Sequence, residues 1–199
     1  MKRAILLLLS LLVGISCACA EGTEEGAYAF TPTDSAILVA CFSCTGNTWR
    51  LAEYAAEALN ADLFRIEPET PYTDDDLNYR DDACRANREM ADDTSRPALR
   101  SLVGNMAQYD TVILASPTWW GQAPRIMATF IESHDLSGKT LLHFSTSGGS
   151  GYGNTGDILA ALTGEGVRWL AGARLSSGMT AEEMAAWLAE KGLAPDRAP

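Results

Sequence analysis

Apolar and polar residues alternate in blocks along most of the chain. Short continuous apolar runs are followed by segments whose apolar residues recur at helical spacing. Four runs predict strands, over residues 36–42, 62–66, 111–115 and 140–145, and a fifth is predicted over 167–171. Runs without alternation are typical of strands buried on both faces. The pattern therefore predicts an α/β fold of three layers, with a doubly wound five-stranded parallel sheet.

The segments between these strands predict the helices. Leu51, Ala55 and Leu59 recur at helical spacing after the first strand. Pro124 suits the first turn of a helix with an apolar stripe, and a further helix is predicted over 154–162. Thr180 and Glu183 form a capping box that opens a last helix, which is expected to end before Gly192.

A polar segment over residues 67–108, called the excursion below, is longer than an ordinary connection. Its pattern predicts one polar helix over 76–90 and a second after Pro97. We expect a solvated surface segment, with a cover over a ligand site as the alternative.

The start of the chain has the pattern of an export signal. Lys2 and Arg3 precede an apolar run over 4–15, and Ala18-Cys19-Ala20 has the small-x-small form of a cleavage site. We expect a signal peptide over 1–20, a linker over 21–34, a folded domain over 35–193 and a tail over 194–199. The protein is therefore expected to be exported and periplasmic or otherwise extracytoplasmic. An uncleaved N-terminus, or one lipidated at Cys17 or Cys19, is the alternative and would be its contact with a membrane.

The net charge limits the classes of partner, and the cysteine content limits the number of disulfides. The formal net charge is −11, and it becomes −13 without the signal, because Lys2 and Arg3 are the signal's charged residues. An acidic surface disfavours nucleic acid and anionic lipid. Cys41, Cys44 and Cys84 remain after cleavage, which is too few for a disulfide scaffold.

The loop after the first strand predicts a phosphate site. It reads Ser43-Cys44-Thr45-Gly46-Asn47-Thr48 and leads directly into a helix. Free backbone N–H groups and the helix dipole favour an anion there, and Gly46 lets the chain turn closely around it. No lysine lies within the loop, so it differs from the loop that binds nucleoside triphosphates and better suits a terminal monophosphate.

Two further loops follow strands three and four. The first contains Pro117-Thr118-Trp119-Trp120-Gly121, and two adjacent tryptophans cannot both point into the core, so one ring is expected at the sheet edge. The second is glycine-rich and contains Ser147, Gly148, Gly149 and Tyr152. Its backbone suits the polar edge of a heteroaromatic ring, and Tyr152 could add an aromatic wall. Ligands of doubly wound sheets bind at the carboxyl ends of the strands, where all three loops lie.

Taken together, the three loops resemble those of the flavodoxin-like family, in particular a bacterial group with Ser-x-Thr-Gly-Asn-Thr, Pro-x-Trp-Trp-Gly and Thr-Ser-Gly-Gly-Ser-Gly loops. The resemblance runs from about Ile37 to the last helix and implies strand order 2-1-3-4-5 and bound flavin mononucleotide (FMN). It implies that the phosphate is held by Ser43, Thr45, Asn47 and Thr48. It further implies that Thr118, Trp119, Trp120 and Gly121 line the ring and that Ser147, Gly148, Gly149 and Tyr152 close its far edge. Electron transfer, or NAD(P)H-dependent reduction of a quinone or similar acceptor, would follow, with a redox partner protein as the other electron source.

Two other functions stay open at this stage. Cys44 and Arg50 fit the Cys-x5-Arg spacing of cysteine-dependent phosphatases, although residue 51 is leucine where a hydroxyl is expected. A non-enzymatic module that binds or senses flavin is the second alternative. His134 and His143 have no neighbours at metal-ligand spacing, so no metal site is expected.

Overall fold

The structure, a computed structural model, describes residues 30–195. The predicted signal peptide, most of the predicted linker and most of the predicted tail lie outside the described residues. Within 30–195, no helix combines the length and the apolar character that crossing a bilayer requires.

Strands and helices alternate along the described chain, as predicted. The elements are β1 (Ile37–Cys41), α1 (Asn47–Leu59), β2 (Asp62–Arg65), α2 (Arg85–Ala91), β3 (Thr111–Pro117), α3 (Arg125–Glu132), β4 (Thr140–Thr146), α4 (Thr155–Ala160), β5 (Arg168–Trp169), β6 (Ala173–Leu175) and α5 (Ala181–Glu190). A 3₁₀ turn over Met106–Gln108 precedes β3. The predicted capping box at Thr180 and Glu183 opens α5.

The strands form one parallel sheet in the order β2-β1-β3-β4-β5. The sixth strand, β6, also pairs with β4, beyond β5 along the same edge. The predicted order 2-1-3-4-5 is confirmed, with β5 and β6 sharing the fifth position.

The core has two halves, one on each face of the sheet. Along β1, Leu38 and Ala40 face the layer that contains α3, whereas Ile37, Val39 and Cys41 face α1 and α5. This alternation follows from the two-residue period of a strand, and burial on both faces explains the continuous apolar run.

The fifth strand differs from its predicted span of 167–171. It is interrupted between β5 and β6, where the Tyr152 side chain packs against Gly172. A Cβ atom at position 172 would lie 2.2 Å from both the His143 carbonyl oxygen and the Tyr152 hydroxyl. Such a close approach is open only to glycine, and a local strand pattern does not reveal it.

The excursion also differs from prediction. Helix α2 covers Arg85–Ala91 and not 76–90, and the segment after Pro97 forms no α-helix. Instead, Pro68 and Leu99 form an antiparallel bridge that brings the two ends of the excursion together. Polar side chains account for the shorter helix. Asn87 Nδ2 donates to the carbonyls of Tyr79 and Asp81, at 3.2 and 2.7 Å, and holds a non-helical loop in front of α2.

Candidate functional site

A cleft of about 400 Å³ opens at the carboxyl ends of β1, β3 and β4. All three predicted loops contribute to it, and so does the excursion. The lining residues are Ser43, Cys44, Thr45, Asn47, Thr48, Leu77, Tyr79, Ala86, Pro117, Thr118, Trp119, Trp120, Thr146, Ser147, Gly148 and Ser177. The sequence-predicted residues Gly46, Gly121, Gly149 and Tyr152 lie outside this lining.

The first loop has the features of an anion site. Gly46 precedes α1 with φ of +82°, a conformation that favours glycine, and no side chain caps the helix. The first turn of α1 contains no acidic residue, so its dipole and N–H groups face the cleft without a competing carboxylate. Thr48 is buried, and its Oγ1 lies 2.8 Å from Thr146 Oγ1, which ties the loop to the end of β4. These donors fit a phosphate group.

The tryptophan loop contains a tight turn. Trp119 and Gln122 exchange two backbone hydrogen bonds of 2.8 and 3.0 Å, and the central residues Trp120 and Gly121 have φ of +48° and +78°. Positive φ at both central positions is the pattern of a type I′ turn. This turn directs Trp120 outward. The residue borders the cleft and is 51% exposed.

Trp119 packs in the opposite sense. Its ring makes edge contacts with Phe42 and Tyr72, each with 5.5 Å between ring centroids, and it joins the core layer on that side. One tryptophan, Trp120, is therefore exposed at the sheet edge, as predicted. Trp119 also lines the cleft, but it packs against the core beneath the turn.

The glycine-rich loop is shaped by Ser147. Its Oγ accepts hydrogen bonds from the backbone N–H groups of Gly149 and Ser150, at 3.2 and 2.8 Å. This local turn leaves Ser147 and Gly148 against the cleft. Gly149 is exposed beyond it.

Tyr152 points away from the cleft into a buried polar chain. Its hydroxyl lies 3.2 Å from His143 Nδ1, and His143 Nε2 lies 3.0 Å from Ser116 Oγ. His143 is fully buried in β4, and burial lowers its pKa to about 3. These hydrogen-bonded side chains join the glycine-rich loop to the end of β3, from which the tryptophan loop starts. Its hydrogen bonds therefore hold two walls of the cleft in a fixed relation.

Sequence reasoning did not identify five lining residues. Thr146 is the last residue of β4 and Ser177 follows β6, and Leu77, Tyr79 and Ala86 come from the excursion. The length of the excursion was a signal, since long insertions often cover sites, but nothing local distinguishes Tyr79 from the polar residues around it. The excursion contributes to the cleft and is not only a surface segment.

Cys44 lines the cleft from the phosphate loop; the residue is exposed overall, but its thiol group is partly buried. Burial of the sulfur raises its pKa to about 11, although the cation of Arg85 lowers it and the carboxylate of Glu89 raises it further. The thiol is therefore protonated at neutral pH.

The Arg50 guanidinium is engaged by a backbone carbonyl of a residue that lines the cleft. It donates a hydrogen bond to the Ser177 carbonyl oxygen. With a protonated Cys44 and an engaged Arg50, the geometry weighs against the cysteine-phosphatase interpretation.

The parallel sheet order, the anion site at α1 and the exposed ring at the switch point define a doubly wound protein of the class that binds a flavin nucleotide. The family described as Flavodoxin matches residues 36–191 of this chain. The chain belongs to the flavodoxin family. Because FMN is the cofactor of that family, the predicted family and cofactor are confirmed.

Solved structures agree with this assignment. A protein described as a flavoprotein from Bacteroides eggerthii is 42% identical, with a TM-score of 0.73 over 78% of this chain and 97% of that one. A second such protein, from Bacteroides uniformis, is 43% identical, with a TM-score of 0.73 over 77% and 97%. A flavoprotein in complex with FMN from Lactobacillus acidophilus shares the fold at 20% identity, with a TM-score of 0.52 over 69% and 91%. No curated protein matches the chain.

Proposed function

We propose that this protein is an exported flavodoxin-type protein that transfers electrons through FMN held in the cleft. Its electrons would come from a redox partner protein or, as hydride, from NAD(P)H, and a quinone or similar acceptor would receive them. The observation that carries the proposal is the meeting of an uncapped helix start, an outward-facing tryptophan and a glycine-rich turn around one cleft. Bound FMN supplies both one-electron and hydride chemistry.

The residues suggest how the chain would hold the cofactor. Ser43, Thr45, Asn47 and Thr48 would bind the phosphate through hydroxyl, amide and backbone donors. Trp120 would cover one face of the ring, and Ser147 and Gly148 would meet its polar edge. Each group comes from a loop that the sheet fixes, so the site is largely preformed.

The first test is the visible spectrum of the purified mature protein with FMN added. We expect perturbed flavin bands and retention of the flavin through gel filtration. Free-flavin bands and loss of FMN on the column would contradict the cofactor assignment for this chain.

Steady-state assays separate an enzyme from a carrier or sensor. Each nicotinamide is offered to the FMN-loaded protein together with a quinone. Turnover supports a reductase, whereas reduction only by a partner protein supports a carrier. A holoprotein that neither route reduces would be a flavin sensor and would contradict the electron-transfer proposal.

The same preparation tests the phosphatase alternative. Hydrolysis of a phosphomonoester by the wild type that is lost in Cys44→Ser would favour that alternative over electron transfer. We expect no such hydrolysis, because the Cys44 thiol is protonated at neutral pH and Arg50 is engaged elsewhere.

Export rests on the pattern of residues 1–20. Cell fractionation of the full chain should find the protein outside the cytoplasm and shortened by about the length of that segment. Replacing Ala18 and Ala20 by large residues should block the shortening. Full-length protein in the cytoplasmic fraction would contradict export.

A further inference from the structure

Three aromatic side chains form a row that leads from the cleft into the excursion. Trp120 and Trp119 both border the cleft, and their ring centroids lie 6.4 Å apart at an interplanar angle of 86°. The Trp119 ring in turn meets the Tyr72 ring at 5.5 Å and 90°. Both distances lie in the range of directly interacting aromatic pairs. This aromatic row therefore offers an electron short steps from ring to ring.

The far end of the aromatic row is a phenol with a proton acceptor. Tyr72 is partly buried, and its hydroxyl donates a hydrogen bond to Glu89 Oε2 on α2. Burial and then this hydrogen bond raise the pKa of the Tyr72 phenol, although the Arg85 cation lowers it. The phenol thus keeps its proton at rest, while a carboxylate stands within reach of that proton.

The Arg85 cation decides how Tyr72 can lose an electron. Its guanidinium carbon lies 4.1 Å from the centre of the Tyr72 ring, and its Nε pairs with Glu89 at 2.6 Å. A cation over the ring opposes a second positive charge on that ring. Oxidation of Tyr72 is therefore favoured only when the phenol proton leaves with the electron. Because an oxidised phenol is a far stronger acid than a phenol, Glu89 can accept the proton while it is paired with Arg85.

Tyr72 lies outside the cleft that would hold the cofactor. It lines a second hollow of about 200 Å³, which shares Ser43, Cys44 and Leu77 with the cleft. Trp119 lies between the two spaces, since it borders the cleft on one side and contacts Tyr72 on the other. The aromatic row thus begins at the ligand and ends away from it.

We propose that the aromatic row supplies an electron to photoexcited FMN and that Tyr72 is its final donor. Trp120 gives one electron to the excited flavin, Trp119 replaces the electron of Trp120, and Tyr72 replaces that of Trp119. The O–H bond of Tyr72 breaks, and its proton passes to Glu89. The products are FMN with one added electron, a neutral tyrosyl radical and a protonated Glu89, so electrons and protons balance.

This light-driven reaction goes beyond the proposed function. It needs bound FMN and light, but no nicotinamide, quinone or partner protein. Flavins absorb blue light, and the excited state is a much stronger oxidant than the ground state, which is why tryptophan and tyrosine can serve as donors. The role of the excursion is then to provide Tyr72 and Glu89, which move the oxidising equivalent away from the cofactor.

The experiment illuminates the oxidised, FMN-loaded protein with blue light in the absence of oxygen and reductant. Electron paramagnetic resonance of rapidly frozen samples should detect a neutral tyrosyl radical. Neither the same sample kept dark nor illuminated FMN-free protein should show it. The radical, followed by time-resolved absorption, should decay more slowly in D₂O, because the proton must return from Glu89 to the phenol oxygen.

Three variants test the path. Tyr72→Phe keeps a ring but has no proton to lose, and Trp119→Phe replaces the middle donor by a ring that is much harder to oxidise. Both should lose the tyrosyl signal. Glu89→Gln should reduce the signal by roughly tenfold or more, because the phenol proton has lost its acceptor. Each signal is expressed per bound flavin at saturating FMN, so that a change in FMN affinity does not imitate a broken path.

Tyr109→Phe is the matched control. The Tyr109 hydroxyl also donates to a carboxylate, Asp62 Oδ2 at 2.7 Å. Tyr109 precedes β3, however, and so lies at the end of the sheet opposite the cleft. Its replacement should leave the tyrosyl signal unchanged.

Several results would overturn the proposal. Illuminated wild type with bound FMN that forms no tyrosyl radical would do so, as would a signal that survives in Tyr72→Phe or Trp119→Phe. A loss in Tyr109→Phe equal to that in Tyr72→Phe would assign the radical elsewhere. Failure of the proposed function is recognised separately, in the dark assays with nicotinamide, quinone or partner protein. Wild type that retains no FMN would overturn the cofactor assignment and this proposal together.

Discussion

Trp120 occupies a backbone conformation that glycine and asparagine adopt far more readily than tryptophan does. Its φ of +48° places it in the left-handed region, which costs a non-glycine residue roughly 1–2 kcal/mol. The residue gains limited packing in return, because it is 51% exposed. Strain of this kind commonly persists where a site needs it. Trp120 is thus better explained by ligand binding than by stability.

The substitution Trp120→Gly tests this explanation. Glycine suits the turn, so the free energy of unfolding of the FMN-free protein should change by less than about 1 kcal/mol in chemical denaturation. FMN affinity, measured by flavin fluorescence, should fall roughly tenfold or more. Trp120→Tyr keeps a ring and should retain most of the affinity. If glycine left FMN binding intact, Trp120 would not be the stacking residue.

His143 makes stability depend on pH. Burial lowers its pKa in the folded protein from 6.5 to about 3, so the folded state keeps the ring neutral while the unfolded chain takes up a proton below about pH 6.5. Stability is then full above that pH and falls as the solution is acidified toward pH 3. One such group contributes a slope of at most about 1.4 kcal/mol per pH unit.

The variant His143→Gln removes this titration and retains a side chain that can hydrogen-bond. Its melting temperature relative to wild type should rise as the pH is lowered from 7 to 4. His134, whose pKa is also lowered by burial, is present in both proteins and cancels in the comparison. A difference that stays constant with pH would show that His143 does not carry the effect.

At the scale of elements, the local sequence pattern was sufficient to predict those strands and helices that bury their own apolar residues. The positions of β1 to β4, of α1 and of the capped helix α5 follow directly from apolar runs, helical spacing and Thr180 with Glu183. The type I′ turn could not be predicted, because Trp120 is not a residue that normally forms one. The excursion and the fifth strand depend on distant contacts, which no local window contains.

The close packing of Gly172 against β4 is the clearest of these distant contacts. The substitution Gly172→Ala would place a Cβ atom 2.2 Å from the His143 carbonyl oxygen, a backbone atom of β4 that cannot move aside cheaply. We expect a loss of roughly 1–3 kcal/mol in the free energy of unfolding, measured in urea. Gly164→Ala is the matched control, since nothing lies within 4 Å of its added Cβ. Equal stability of the two variants would show that β6 shifts freely.

The whole molecule combines an acidic surface with an uncharged cleft. The acidic surface follows from the composition, whereas the uncharged lining is a result of the fold. The excursion contributes Leu77 and Tyr79 to the cleft, while Asp74 and Asp75 stay exposed. Charges at the surface act on the cleft over a distance, through solvent. Their effect on a bound ligand should therefore be sensitive to salt.

The reduction potential of bound FMN measures this effect. Reduction adds negative charge to the ring, and a surrounding chain of net charge −11, or −13 without the signal, disfavours that charge. We expect the potential of the bound cofactor to lie below that of free FMN at low ionic strength. The difference between the potentials of bound and free FMN should become smaller between about 0.01 and 1 M salt, because the screening length falls from about 30 to 3 Å.

Neutralising acidic residues near the cleft separates surface charge from other causes. The double variant Asp74→Asn with Asp75→Asn should raise the potential at low salt and have little effect at high salt. The control is Glu190→Gln. Glu190 lies on α5, which contributes no residue to the cleft, so this substitution should change the potential less. A potential at or above that of free FMN, or a gap that salt does not alter, would show that hydrogen bonds within the cleft set the potential and surface charge does not.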